Sequence, residues 1–432
     1  MSTRDDTRAR PETRAVSAES EILPRAPRAA WVPVLLLALV VALVGRLVYV
    51  SMAAAPQTPS ADDRYYLRYM QAVHDGGFAA FPALFDQWNT TRGDWIFPPP
   101  SRVGFIGISA LWAGIFGASF HALQMLSFAA YLATCVVNYA CARRRLGEPR
   151  ALFVGALIAF SPLFMGISRL ALTDSLIALC MTSTVWLFLE VLEDPTKLLW
   201  RVLFMCALAV TVLVKELSVL VAVPLGLFVL YERFVRRVPR PLGTFALCFA
   251  LPALVTAPIF VLAAGSPAKL LETTRIVLSS PATNDYAVRY GSGPWSRTAV
   301  DFLLFSPWAT LLAVGWFAVV VARSREATYD RLSTFFAFVT AAFVLELGFF
   351  TKNVRYTAVL EVPIRVFAVL MMGGLTARLR PRLSVGLTAA AVALLCWFDW
   401  RTFELVWVKY QAYDPVTYLL AVVREVMPRP TR

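Results

Sequence analysis

Residues 151–192 read ALFVGALIAFSPLFMGISRLALTDSLIALCMTSTVWLFLEVL, and their reading decides the fold. The apolar runs 151–168 and 175–192 are each long enough, at about 1.5 Å per residue, to cross a hydrocarbon layer about 30 Å thick. The turn between them carries Arg169, Thr173 and Asp174. A charge left in hydrocarbon costs about 2.5–3.5 kcal/mol. Arg169 and Asp174 therefore belong at a membrane surface or in a polar site, as a capping pair or as part of a functional centre.

The same alternation extends in both directions. Candidate spans are 31–53, 121–142, 151–168, 175–192, 199–214, 216–231, 243–264, 301–321, 332–350, 354–376 and 383–399. Of the 432 residues, 58% are apolar and 16% are charged, and mean hydropathy is +0.63. This excludes a soluble globular enzyme and a disordered chain. Lipid leaves no backbone group free, so helices are the answer: the expectation is an all-α polytopic membrane protein with about eleven transmembrane helices.

The net charge is +13, with 36 Arg and 5 Lys among the 41 cations. The arginines gather at the ends of apolar runs, which makes them topology signals and not a nucleic-acid surface. Arg143–Arg145 with Arg150, Arg233 to Arg240, Arg323 with Arg325, and Arg378 to Arg382 all fall on one side, with an even number of spans between successive clusters. That side is expected to be cytoplasmic. The check requires residues 103–118 to be re-entrant or a half-helix.

The first 30 residues read as a disordered cytoplasmic tail, residues 31–400 as the membrane domain and residues 401–432 as a short C-terminal tail. The run Ala30–Met52 is too long for a signal-peptide core and is expected to be retained. Outer loops cover about 54–102 and 265–300. The six cysteines lie in or beside apolar runs without CxxC or Cys/His spacing, and read as packed side chains. No metal set emerges, no cofactor is expected with certainty, and a divalent-metal requirement stays open.

Residues with chemical potential crowd the outer face. Ser60-Ala61-Asp62-Asp63 fits a capping box, and Tyr66, Tyr69, Met70 and Val73 recur at helical spacing. An amphipathic helix lying in the interface follows, with Asp62 and Asp63 at its start. Either acid serves the helix dipole or chemistry. Pro98–Pro100 sets a stiff entry to the next segment. Lys215-Glu216 occupies a hairpin with almost no loop, as a mutual ion pair or with the lysine set for an anionic headgroup. Lys352, Arg355 and Tyr356 form a phosphate clamp or an interfacial anchor. Glu361 and Arg365, four apart and deeper, read as a structural ion pair. Asn89-Thr90-Thr91 is a formal glycosylation sequon, of a kind frequent by chance.

Taken in order, these stretches resemble the GT-C fold glycosyltransferases, specifically the protein O-mannosyltransferase and lipid A aminoarabinose-transferase family. Asp62-Asp63 with Tyr66 resembles its Asp-Glu-x-x-Tyr, and Pro98-Pro99-Pro100 its Pro-Pro-Leu. Ser161-Pro162 through Arg169 to Leu172-Thr173-Asp174 resembles its Ser-Pro…Arg…Leu-Thr-Asp. Val214-Lys215-Glu216 resembles its Thr-Lys-Glu/Gly, and Lys352 with Arg355-Tyr356 its Lys-x-x-Arg-Tyr. The departures are Asp63 for Glu and Pro100 for Leu, and a chain that ends soon after the last span.

The resemblance implies inverting transfer of a sugar from a polyprenyl-phosphate donor to a lipid, protein or glycan acceptor at the outer face of a bacterial inner membrane. It implies Asp62 as base, with Asp63 or Asp174 supporting. Lys352 and Arg355 would bind the donor phosphate, with Lys215 and Arg169 as second choices, and Tyr66, Tyr356 and Glu216 would support the site. The rival is a lipid-linked glycan flippase or polymerase. No internal repeat and no midplane distribution of charge favours the flippase.

Overall fold

The structure, a computed structural model, describes residues 31–55, 59–91, 98–283, 293–323, 330–349, 352–412, 418–419 and 422–423. The N-terminal tail, Arg325 and half of the C-terminal tail lie outside the described residues. Among those described, every regular element is helical. In chain order they are α1 (Val32–Ala54), α2 (Ala61–Gly76), α3 (Phe81–Thr90), α4 (Val103–Phe116), α5 (Phe120–Leu146), α6 (Arg150–Ala159), α7 (Pro162–Ile167), α8 (Asp174–Glu193) and α9 (Leu198–Val214). There follow α10 (Ala222–Leu230), α11 (Leu242–Ala264), α12 (Pro267–Thr283), α13 (Arg297–Phe305), α14 (Pro307–Ala322), α15 (Arg331–Leu347), α16 (Glu361–Thr376) and α17 (Pro381–Phe403).

Local chemistry sets the helix starts. Ser60 and Asp63 form the expected capping box of α2. Ser119, Ser161 and Asp330 cap α5, α7 and α15 with side-chain oxygens, each accepting from an otherwise orphaned backbone N–H. Proline opens α1, α7, α14 and α17, where its missing N–H costs nothing.

Seven helices among the described residues are long and apolar enough to cross a membrane. They are Val32–Ala54, Phe120–Leu146, Asp174–Glu193, Glu216–Val235, Leu242–Ala264, Val354–Thr376 and Pro381–Lys409. Shorter apolar helices are Val103–Phe116, Arg150–Ala159, Leu198–Val214 and Pro307–Ala322. These seven coincide with seven of the eleven expected spans. The expected span 151–168 is broken at Phe160–Ser161 into α6 and α7. At 14 residues, α4 is about 21 Å long, too short to span, in line with its reading as a half-helix. The last helix runs past residue 400 through Lys409, and the described part of the loop expected over 265–300 holds the helix α12 and the start of α13.

Two features bring the site together. Helix α2 does not display its rings at headgroup level. Tyr66, Tyr69, Met70 and Val73 are buried, and Tyr66 meets Phe105 of α4 edge-on at 4.9 Å between ring centroids. Tyr69 Oη donates to the Pro98 carbonyl at 3.0 Å, which ties the proline entry to α2. Gly104 then lets α4 press on the end of α9: a Cβ there would stand 2.7 Å from the Leu213 carbonyl carbon. That contact fixes the start of α4 beside the turn that follows α9.

Two charge networks, one buried and one partly exposed, lock the rest. Arg365 meets Glu361 at 2.8 Å, as expected, and also Asp399 at 2.6 Å, while Ser306 donates to Asp399 at 2.6 Å. At the far end of α8, Glu190, Glu193 and Glu232 are held by Arg144, Arg145, Arg240 and Arg331.

Candidate active site

The start of α2 supplies two adjacent acids with opposite fates. Asp63 Oδ2 accepts from the Ser60 backbone N–H at 2.8 Å and from its hydroxyl at 2.7 Å. Its Oδ1 accepts from the Ala171 N–H at 3.2 Å. Asp63 thereby pins α2 to the turn that precedes α8, and both its oxygens are occupied. Asp62 faces the other way, into a small cup, and among the described residues its carboxylate has no hydrogen-bond or ion-pair partner. Burial pushes the Asp62 carboxyl above the usual carboxylate range, and Arg355 and Arg102 pull part of that shift back.

Three cations form the opposite wall. Asp174, the first residue of α8, is 3% exposed and holds two of them: Arg355 Nη1 at 3.1 Å and Lys215 Nζ at 3.5 Å. Asn353 aims Arg355 by accepting from its backbone N–H at 3.0 Å and its Nε at 3.3 Å. Lys215 lies over the Tyr356 ring, 4.1 Å from the centroid. Burial pushes Lys215 down to about 8, although Asp174 opposes the shift. The third cation is Arg102, just ahead of α4. It is 8% exposed, its Cζ lies 5.6 Å from the Tyr66 ring centroid, and its buried Nε has no partner.

With Asp62, Asp174, Arg102, Lys215 and Arg355 ionised, three positive charges face two negative ones, a surplus of one. The cup has about 30 Å³ of room for the centre of a water-sized sphere. Arg102, Lys215, Arg355 and Tyr356 also line a neighbouring groove, with about 120 Å³ of the same kind of room. Its walls are mostly apolar, from Ile177, Met181, Leu220, Phe343 and Leu347, with Glu216 and Glu346 among them. The cations thus stand at the junction of a polar cup and an apolar groove.

Of the residues expected from the sequence, Asp62, Tyr66, Asp174, Lys215, Arg355 and Tyr356 converge in the cup. Glu216 lines the groove, and Asp63 stands behind the cup. Arg169 and Lys352 line neither cavity. The Arg169 guanidinium donates to the Trp407, Ala55 and Ser51 carbonyls at 2.5, 2.8 and 3.2 Å, closing the end of α1. Lys352 Nζ donates to the Gly348 carbonyl at 2.8 Å. The sequon does not present its asparagine: Asn89 is buried against Lys269 and Thr273. Among the described residues no group of three or more His, Cys, Asp or Glu is placed to hold a metal ion. Sequence reasoning passed over Arg102; its signal was a cation directly after the rigid Pro98–Pro100 entry.

Residues 105–258 match the family profile described as dolichyl-phosphate-mannose-protein mannosyltransferase. Comparison with curated protein sequences finds no match. Solved structures with the same architecture include ArnT from Cupriavidus metallidurans bound to undecaprenyl phosphate, at 19% identity and a TM-score of 0.54, over 85% of this chain and 64% of that one. The Archaeoglobus fulgidus oligosaccharyltransferase in its apo form aligns at 13% identity and a TM-score of 0.65, over 93% of this chain and 59% of that one. The same archaeal enzyme, AglB, in complex with an inhibitory peptide and a dolichol-phosphate, aligns at 12% identity and a TM-score of 0.61.

The chain has the GT-C fold. It spans less than two thirds of the length of these GT-C structures. The profile match includes α8, α9 and the Lys215 turn. It leaves out α2, Arg102 and Arg355, so the cup combines matched and unmatched segments of the GT-C chain.

Proposed function

We propose that the protein is a membrane glycosyltransferase that moves a sugar from a polyprenyl-phosphate donor to an acceptor at the extracytoplasmic face. The observation that carries this reading is the juxtaposition of an unpartnered, half-buried carboxylate, Asp62, with three cations at the mouth of an apolar groove. ArnT binds undecaprenyl phosphate and AglB a dolichol-phosphate, both phosphates on long isoprenoid chains. A ligand of that class matches the groove and cation layout, with the chain against the apolar walls and the phosphate between Arg102, Lys215 and Arg355.

In the proposed step, the acceptor's hydroxyl or amine attacks the anomeric carbon as the carbon–oxygen bond to phosphate breaks. The bonding pair goes to the phosphate oxygen, and the proton of the nucleophile goes to Asp62. A single displacement inverts the anomeric centre. Arg355 and Lys215 meet the charge that grows on the leaving phosphate, and Asp174 holds both in place. Asp62 suits the base role because its carboxylate is raised toward neutral pH and uncommitted. The site lies at the membrane interface because the donor lives in the bilayer.

The test supplies membranes containing the wild type or Asp62→Asn with labelled polyprenyl-phosphate sugars of several kinds. Label passing to a new acceptor in the wild type alone supports the reading. Failure to release polyprenyl phosphate from any donor, even with native lipid extract added, would sink it. The acceptor and the sugar are then read from the labelled product.

A further inference from the structure

The groove walls carry two carboxylates that the transfer chemistry leaves unused. Glu346 sits in the last turn of α15 and Glu216 opens the 3-10 turn after Lys215. Each has one carboxylate oxygen, Oε2, that is buried and lacks a hydrogen-bond donor. Glu346 is in the wrong place for helix stability, since an acid in a last turn opposes the helix dipole. It also stands among Phe343, Leu347 and the other apolar residues of the groove, where an unsatisfied acceptor is costly. Glu346 has no structural rationale in the fold, while Glu216 suits the first turn that it opens but is left with an unpaired Oε2. The same groove is lined by Arg102, nine-tenths buried and without an anionic partner.

A ligand that satisfies all three must place an anion at Arg102 and hydrogen-bond donors near Glu216 and Glu346. A bare lipid phosphate supplies only the first. A phosphate carrying a sugar supplies both, because ring hydroxyls donate. Resting on the function proposed above, we infer that Glu216 and Glu346 are specificity-determining residues that accept hydrogen bonds from the donor's sugar. The sugar then packs at the end of the groove beside the cations, with the isoprenoid chain along the apolar walls beyond it, and the smaller cup is left for the phosphate and the incoming nucleophile. A site built to accept donor groups rejects a ligand that lacks them, because its own acceptors then stay buried and unpaired.

The experiment measures the affinity of purified protein for two ligands, polyprenyl phosphate and the sugar-bearing donor found in the transfer assay. The proteins are the wild type, Glu346→Gln, Glu346→Leu and Glu216→Gln. The near-isosteric Gln variants guard against misfolding, and their thermal unfolding is recorded alongside. The expected result is unchanged binding of bare polyprenyl phosphate, with the sugar-bearing donor weakened about tenfold or more in Glu346→Leu. A donor shortened by one hydroxyl should lose affinity in the wild type and little further in the variants. Equal binding of both ligands by all four proteins overturns the inference and leaves the proposed function standing. Equal loss of both ligands in the variants also overturns it, since the acids would then be shaping the groove and not reading the sugar. If the wild type binds neither ligand, the proposed function fails and the inference fails with it.

Discussion

Helix α8 carries a charged cluster at each end, and the two clusters are built differently. At its C-terminal end, Glu190 is held by Arg144 at 3.1 Å and Arg145 at 2.8 Å, and Glu193 by Arg331 at 3.0 Å. Glu232 joins through Arg240, whose Nη1 also takes the Leu192 carbonyl. Every acid there is claimed, and the guanidiniums double as caps for the end of the helix. At the N-terminal end, Asp174 is equally well claimed by Arg355 and Lys215, but Asp62 has no partner and Arg102 faces no acid within bonding distance. A closed network tends toward rigidity. Charges left uncompensated around a cavity store the cost of burial until a ligand of the right sign arrives.

The largest expected break in this comparison is Asp62→Asn. Turnover should fall about 10²–10⁴-fold, the range for loss of a general base. The fold should not suffer. Burial raises the Asp62 pKa, so the protein is favoured with this group neutral. Its stabilising share is fully present below the ordinary pKa and is lost as pH rises through the folded value. An asparagine is neutral at every pH, so the unfolding temperature at pH 7 should stay level or rise. Asp63→Ala is the contrast: it breaks the capping box and should cost about 1–2 kcal/mol. An Asp62→Asn protein with normal turnover would leave this acid only its favourable place near the positive end of the helix dipole.

The next break sets Arg355→Ala against Arg145→Ala. Both arginines hold a buried acid at about 3 Å, Asp174 at 3.1 Å and Glu190 at 2.8 Å. Removing Arg355 should weaken polyprenyl-phosphate binding by about ten- to a hundredfold, the worth of a hydrogen bond to a charged group. Removing Arg145 should leave that affinity alone and lower stability by about 1–3 kcal/mol. Ligand titration and denaturation on both variants separate the two ends. Parallel losses of affinity would mean that the ends of α8 are not functionally distinct.

A smaller and graded effect comes from pH. On the acid side, transfer should decline as pH falls through the raised Asp62 value, because the base takes up a proton. On the alkaline side, it should decline as pH rises past about 8, where Lys215 loses its charge. Binding of bare polyprenyl phosphate should show the alkaline limb and lack the acid one, since Asp62 acts on the nucleophile. An alkaline limb that persists unchanged in Lys215→Arg would assign it to another group.

The fold was largely legible because membranes impose a harsh code: apolar runs of sufficient length, broken by arginine. The reading of 103–118 as re-entrant or a half-helix came from the parity of the arginine clusters, and α4 there has 14 residues. The cup was legible where a charge had no excuse in lipid, as at Asp174, Lys215 and Arg355. It was illegible where placement depends on tertiary contact. Asp62 and Asp63 are neighbours in sequence: the capping box with Ser60 already claims one Asp63 oxygen, but the Ala171 N–H that takes the other comes from far along the chain. Arg102 sits in the cup because Gly104 lets α4 close on α9, a relation that no local pattern encodes. Asp399 completes the Arg365 network from a helix that sequence spacing could not pair with it.

Lys352 is the sharpest small test of this limit. Its spacing to Arg355 suggests a two-cation clamp, because residues three apart share a helix face. The backbone there does not oblige. Asn353 is extended and caps the turn that begins at Val354, so Lys352 falls before the helix and outside its face. Its ammonium is occupied with the Gly348 carbonyl, one of the groups orphaned at the end of α15. Lys352→Ala should therefore change donor affinity by about twofold at most, as for a substitution outside the binding site. Lys215→Ala, which lies in both cavities, should exceed that effect by about tenfold. If the two lysines prove equal in a side-by-side titration with polyprenyl phosphate, residues 352 and 355 do act as a clamp, and the turn that separates them must rearrange when the lipid binds.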